Sequence, residues 1–134
     1  MAPPLPAAAP PSSFIRTWPG FTLSPTLTLT DDTVPAAVDG TSTEIGDSNF
    51  IMAYCHIAHN CILGNNVIMV NQASLTGYCL VEDGAFLSGM TGLHQFTRVG
   101  RLSLLSALSA VNKDIPPYMT CGGRPAVVLG INGV

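Results

Sequence analysis

From Ile45 onward an apolar residue recurs at every sixth position: Ile45, Ile51, Ile57, Leu63, Met69, Leu75, Val81, Leu87, Leu93, Val99, Leu105 and Val111. A register that holds over twelve positions without a miss is far outside chance and marks a repeat architecture. A second column lies four residues after each of these and reads Asn49, Cys55, Cys61, Val67, Ala73, Cys79, Ala85, Thr91, Thr97, Ser103, Ser109 and Ile115, mostly small. A strand alternates faces and a corner must then redirect the chain. One large and one small inward position per hexad therefore predict a short strand and a turn, with three hexads closing one coil. Residues 45–116 supply twelve such hexads, or about four coils, stacked about 4.8 Å apart by parallel backbone hydrogen bonds. The predicted fold is all-β and quasi-one-dimensional, a parallel β-helix. Within each hexad the first and fifth residues should point inward, the second and sixth outward, and the third and fourth should form the corner.

Outside this stretch the register fails. Residues 1–40 are read as an irregular leader with a Pro/Ala tract, Trp18 and the alternating stretch Thr26-Leu27-Thr28-Leu29-Thr30, a candidate single strand. Residues 41–116 form the helix, and 117–134 a short cap. That tail leaves the repeat at Pro116-Pro117, carries a turn signal at Gly122-Gly123 and then an apolar run from Ala126 to Leu129, as expected of a segment that folds back.

Composition narrows the function. Charged residues are 10% of the 134, against about a quarter in ordinary domains, and 13 Gly and 11 Pro demand many turns. A net charge of −3 with five Lys and Arg leaves no basic stripe for a phosphate backbone, which argues against nucleic acid and toward a small or protein-bound substrate. No apolar run reaches the roughly 18 residues of a membrane span. The opening MAPPLPAAAPP lacks the charged start and unbroken apolar core of a secretory signal, so a cytoplasmic protein is expected. Cys55, Cys61 and Cys79 fall in the small inward column and read as reduced core thiols rather than metal ligands or disulfides, and Cys121 lies beyond it. Arg98 and Lys113 read as solvated charges.

Hexad position then locates the chemistry. His56 is sixth in its hexad, His59 third and His94 second, so all three histidines avoid the core. Three hexads on from His59 is Gly77, and three more reach Gln95, a single column up one corner: a base below an exposed amide. A corner glycine lets another molecule approach its N–H closely, as an oxyanion-stabilising donor must. It could equally meet a turn's need for positive φ. Histidine titrates near neutrality and can take a hydroxyl proton, then return it to a leaving thiolate. The combination fits general-base acyl transfer with no covalent enzyme intermediate, no metal and no cofactor.

The segments His56-Ile57-Ala58-His59-Asn60-Cys61, Leu75-Thr76-Gly77, Gly92-Leu93-His94-Gln95-Phe96 and Asp114-Ile115-Pro116-Pro117-Tyr118 resemble, in order and spacing, the UDP-N-acetylglucosamine 3-O-acyltransferase family of lipid A synthesis. The period does not fix the handedness of the helix; the resemblance implies a left-handed one. It also implies His59 as general base for the sugar 3-hydroxyl, Gly77 as oxyanion amide, and His56, His94 and Gln95 as contacts to the nucleotide sugar or the acyl pantetheine. Ala107 falls where the family often has a glycine that sets acyl-chain length, and Asn132 matches a nucleotide-contacting asparagine. Two positions depart from the pattern: Asn60 replaces an aspartate that orients the catalytic histidine, and Tyr78 replaces a histidine that touches the sugar. The implied partners are acyl carrier protein loaded with a 3-hydroxyacyl chain and UDP-N-acetylglucosamine. The implied assembly is a homotrimer with sites between subunits, in a bacterial cytoplasm. Family members carry further N-terminal coils and a C-terminal helical domain, so the chain reads as shortened at both ends. Three alternatives stay open: the glucosamine N-acyltransferases of the same pathway, to which IAHN is similar; a zinc-dependent γ-type carbonic anhydrase, which needs three histidines on one metal; and a catalytically inactive scaffold.

Overall fold

The computed structural model describes residues 13–15, 28–29 and 43–133, which contain strands and turns but no helix. Strands β1 (Ser13–Ile15) and β2 (Thr28–Leu29) precede β3 (Thr43–Ile45). Two-residue strands then follow at every corner-to-corner step: β4 (Phe50–Ile51), β5 (His56–Ile57), β6 (Ile62–Leu63), β7 (Ile68–Met69), β8 (Ser74–Leu75) and β9 (Leu80–Val81). The series continues with β10 (Phe86–Leu87), β11 (Gly92–Leu93), β12 (Arg98–Val99), β13 (Leu104–Leu105) and β14 (Ala110–Val111), and ends in β15 (Met119–Gly123) and β16 (Ala126–Ile131). They assemble into three sheets, β1-β3-β6-β9-β12, β2-β5-β8-β11-β14 and β4-β7-β10-β13-β15-β16. Ile57 pairs with Leu75 and Leu75 with Leu93, Ile45 with Leu63 and Leu63 with Val81, each pair separated by three full hexads. Each sheet is thus one face of a left-handed parallel β-helix of about four turns.

All twelve residues of the large column and all twelve of the small column are buried. The polar members of the small column are accommodated because the corner carbonyls lie within their reach. Thr97 Oγ1 donates to the His94 carbonyl at 2.6 Å and Ser103 Oγ to that of Gly100 at 2.7 Å, while Asn49 donates to the Gly46 and Gly64 carbonyls and accepts from the Val67 amide. The hydroxyl of Thr91 is the buried side-chain oxygen without a partner among the described residues. All four cysteines are free and buried. Burial pushes the Cys55 and Cys121 thiols up, and a hydrogen bond shared with Cys79, reinforced by burial, holds Cys61 well above the ordinary thiol range. Ala58 departs from its expected outward place, with only 5% of its surface exposed, because a methyl group is too short to stand clear of its corner.

The fourth hexad residue carries the cost of closing each corner. From Ser48 to Leu108 it lies in the left-handed region in eleven successive hexads, and only Gly84 among them is a glycine. For ordinary residues this conformation costs about 1 kcal/mol or more. Stacking offsets it, since the N–H of each such residue from Asn66 to Leu108 donates to the corner carbonyl of the coil below, as Tyr78 does to His59 at 3.1 Å and Phe96 to Gly77 at 3.2 Å.

The ends extend the sheets with altered spacing. Ile15 pairs with Ile45 and Leu29 with Ile57, and both steps are much longer than the three hexads of a regular coil. The expected strand at Thr26–Thr30 thus meets β2 at Thr28 and Leu29; Thr26, Leu27, Thr30, Trp18 and the Pro/Ala tract lie outside the described residues. At the other end Leu105 pairs with Cys121, a step slightly short of three hexads, and β16 returns antiparallel on β15. The shortened step comes where Pro117 packs against Gly100, close enough that a Cβ at Gly100 would lie 2.4 Å from the proline nitrogen. The returning strand leaves Val127, Val128, Leu129 and Ile131 exposed. No described helix is long and apolar enough to cross a membrane.

Candidate active site

The corner between β5 and β6 is Ala58-His59-Asn60-Cys61, and those stacked on it are Thr76-Gly77-Tyr78-Cys79 and His94-Gln95-Phe96-Thr97. Inward anchoring by Ile57 and Cys61, both fully buried, fixes where His59 leaves the backbone. The imidazole is half-buried and lies over Gly77: a Cβ built there would sit 2.5 Å from His59 Cε1 and 2.7 Å from Nε2. Its Nδ1 is 3.0 Å from Asn60 Oδ1. A carbonyl oxygen only accepts, so this contact selects the tautomer with the proton on Nδ1 and leaves the Nε2 lone pair available as a base.

Gly77 corrects one sequence expectation and decides another. It is buried, not exposed, because the His59 ring covers it. Its φ is not in the left-handed region; that conformation belongs to Tyr78, at 61°. The glycine is therefore required by the close approach of the imidazole and not by the turn. Its N–H has no partner among the described residues. On the neighbouring corner column the equivalent amides are capped: Asp47 by Asn65 Oδ1 at 2.7 Å, Asn65 by Asp83 Oδ1 at 2.8 Å, and Arg101 by Glu82 Oε2 at 2.8 Å. An uncapped amide beside an available imidazole nitrogen is a donor and a base at one corner.

Gly77→Ala tests this packing. With no backbone strain to add, the substitution is expected to change stability by less than about 1 kcal/mol. Its methyl displaces the imidazole, and a displaced base should lower kcat by about tenfold to a hundredfold. A large loss in the thermal melt with unchanged kcat would reverse the assignment.

The other expected site residues divide into two groups. His56 projects from β5, half-buried, below Ser74 and Gly92 in register, and Gly92 is open above it. His94 and Gln95 are exposed one coil above Gly77, with His94 Nδ1 3.2 Å from the Gln95 carbonyl oxygen. Tyr78 stands perpendicular to the His59 ring, centroids 5.4 Å apart, and stacks on Phe96 at 5.1 Å. Phe96 was absent from the expected site, although the same three-hexad step links it to Tyr78 and Asn60. Ala107 is exposed on a different corner, between β13 and β14. Asn132 is in the cap, where its side chain donates to the Leu102 carbonyl at 2.8 Å. These two are not gathered with His59 in the single chain. Arg98 is paired with Glu82, and that pairing holds the Glu82 carboxyl below the usual range. Among the described residues no three His, Cys, Asp or Glu side chains converge on a point that could hold a metal ion.

Residues 42–77 match the family model for the bacterial transferase hexapeptide (six repeats). Over 94 residues the chain is 48% identical to the acyl-[acyl-carrier-protein]–UDP-N-acetylglucosamine O-acyltransferase of Herminiimonas arsenicoxydans, a match covering 70% of this chain and 36% of the relative. It superposes on the UDP-N-acetylglucosamine acyltransferase of Arabidopsis with a TM-score of 0.73 at 33% identity, covering 80% of this chain and 36% of the other. On the enzyme of Francisella novicida the score is 0.69 at 37% identity, with 72% and 36% covered. The chain spans about a third of the length of the curated relatives it matches. The resemblance read from the four motif segments is the one these comparisons return.

Proposed function

We propose that the chain transfers a 3-hydroxyacyl group from acyl carrier protein to the 3-hydroxyl of UDP-N-acetylglucosamine, the opening step of lipid A synthesis in a bacterial cytoplasm. The observation that carries the reading is His59 lying over Gly77 with Nδ1 engaged by Asn60. In this mechanism His59 Nε2 takes the proton of the 3-hydroxyl as its oxygen attacks the thioester carbonyl carbon. The oxyanion that forms draws on the unpartnered Gly77 N–H. Collapse breaks the C–S bond, and the imidazolium returns its proton to the pantetheine thiolate. Asn60 holds the ring by hydrogen bonding without adding a charge. His56, His94 and Gln95 border the same corner and would contact the nucleotide sugar or the pantetheine arm. No metal or cofactor enters the reaction.

Ala107 and Asn132 bear on the assembly. They lie away from the His59 corner of one chain, so their roles in acyl-chain length and nucleotide contact require a neighbouring copy, which a homotrimer with sites between subunits would supply. Domain boundaries at about residues 40 and 116 accompany this reading. Between the two acyl acceptors, relatives carrying the O-acyltransferase name at 40–49% identity favour oxygen, while Asn60 is the feature held in common with the N-acyltransferases.

The test is acyl transfer from a 3-hydroxyacyl carrier protein to UDP-N-acetylglucosamine, run beside an amino-sugar acceptor. Preferential reaction of the first acceptor supports the proposal. Reaction of the amino sugar alone would move the chain to the N-acyltransferases. A well-folded chain that transfers to neither would be a scaffold.

A further inference from the structure

Three residues stand above one another at the fourth hexad position of the His59 corner, Asn60, Tyr78 and Phe96, with φ of 59°, 61° and 64°. Asn60, Tyr78 and Gly77 border the imidazole, and Phe96 lies behind Tyr78. Asn60 Oδ1 holds Nδ1 at 3.0 Å, Gly77 lies against the ring, and Tyr78 stands against it at 87° with its centroid 5.4 Å away. Tyr78 is itself backed by Phe96, at 5.1 Å and 21°. The corner does not demand an aromatic residue, because Leu102 and Leu108 occupy the same hexad position with φ of 51° and 61°. Nor does burial explain it: Phe96 is 68% exposed. A bulky aromatic in the left-handed region is locally unfavourable; the Phe96 N–H bond to the Gly77 carbonyl holds the backbone there, and stacking on Tyr78 covers one face of the ring.

We infer that Tyr78 is a positioning residue for His59, its ring braced by Phe96 so that the imidazole stays over Gly77 with Nε2 free. The assignment differs from a sugar contact, the role that position has in the resemblance. Its activity readout rests on the acyltransferase reading above; its spectroscopic readout does not. Perpendicular ring contact has a direct signature, since the tyrosine ring current shifts the carbon-bound protons of the imidazole.

The experiment labels the three histidines selectively in the full chain, assigns His59 by its loss in His59→Ala, and compares Tyr78→Phe, Tyr78→Leu and Phe96→Leu. Leucine is the chosen replacement because this hexad position already accepts it. Tyr78→Leu should move the His59 ring signals and lower kcat by about tenfold, with KM for the sugar nucleotide within about twofold. Phe96→Leu should do the same more weakly, and Tyr78→Phe should restore both. Unmoved His59 signals in folded Tyr78→Leu would overturn the inference, as would a raised KM at constant kcat, which marks substrate contact. If the unaltered chain is inactive, moved His59 signals still support the positioning role while the acyltransferase reading falls.

Discussion

Replacing His59 by alanine is expected to lower kcat for acyl transfer by about 10²–10⁴-fold, the span over which a positioned general base contributes. Stability should change little. The side chain is half-buried on a corner, and its hydrogen bond among the described residues goes to the adjacent Asn60. Its loss uncovers Gly77 but opens no cavity in the stacked core, because both inward neighbours of the corner, Ile57 and Cys61, stay in place. A change within about 1 kcal/mol is the expectation for such a site. Initial rates at saturating donor and acceptor, taken at matched β content, provide the measurement. If KM rises and kcat holds, His59 binds substrate and another group takes the proton. If neither changes, the chemistry lies off this corner.

Asn60→Asp sharpens the same point. A carboxylate at Nδ1 would stabilise the imidazolium that forms as the hydroxyl proton is taken, whereas the amide only orients the ring. The substitution therefore keeps the 3.0 Å contact and alters its charge, which separates positioning from electrostatics at a single atom.

The core was readable because stacked coils hold every inward residue in one of two columns, and both columns turned out buried along their whole length. The three-hexad step also found His59 beneath Gly77. It missed why the glycine is there, since the third position of a corner gives no sign of whether a neighbouring ring lies on it. It missed Phe96 for a different reason. An exposed aromatic looks incidental until the left-handed backbone at Tyr78 and Phe96 turns both rings up the same edge. That conformation was itself illegible, because Leu, Met, Phe and Tyr resist it locally and only the bonds between coils impose it. Strand β1 escaped, as did the place where each leader strand joins the stack, because Ile15 joins Ile45 and Leu29 joins Ile57 across far more chain than one coil, so a hexad register followed back from Ile45 has no regular coil to trace.

Leu75→Ala should cost about 2–5 kcal/mol, the range for truncating a fully buried core side chain. The side chain is fully buried and lies between Ile57 and Leu93 in its column, with paired coils above and below. Parallel hydrogen bonds fix the spacing of those coils, so the layers cannot close on the missing atoms, and the cavity term adds to the lost transfer energy. At roughly 2–8 °C per kcal/mol, the melting temperature should fall by about 4 to 40 °C. Two controls make the result specific. Ser74→Ala changes the preceding residue, which is only half-buried and faces outward, and should be nearly silent. Equal losses at 74 and 75 would mean the register is wrong by one residue, which would turn every inward side chain of that strand to solvent. Val111→Ala removes fewer atoms from a residue paired with Leu93 on one side only, at the end of its sheet, and should cost less than Leu75→Ala. The ordering Leu75 above Val111 above Ser74 follows from a stack in which each coil is stabilised by its two neighbours.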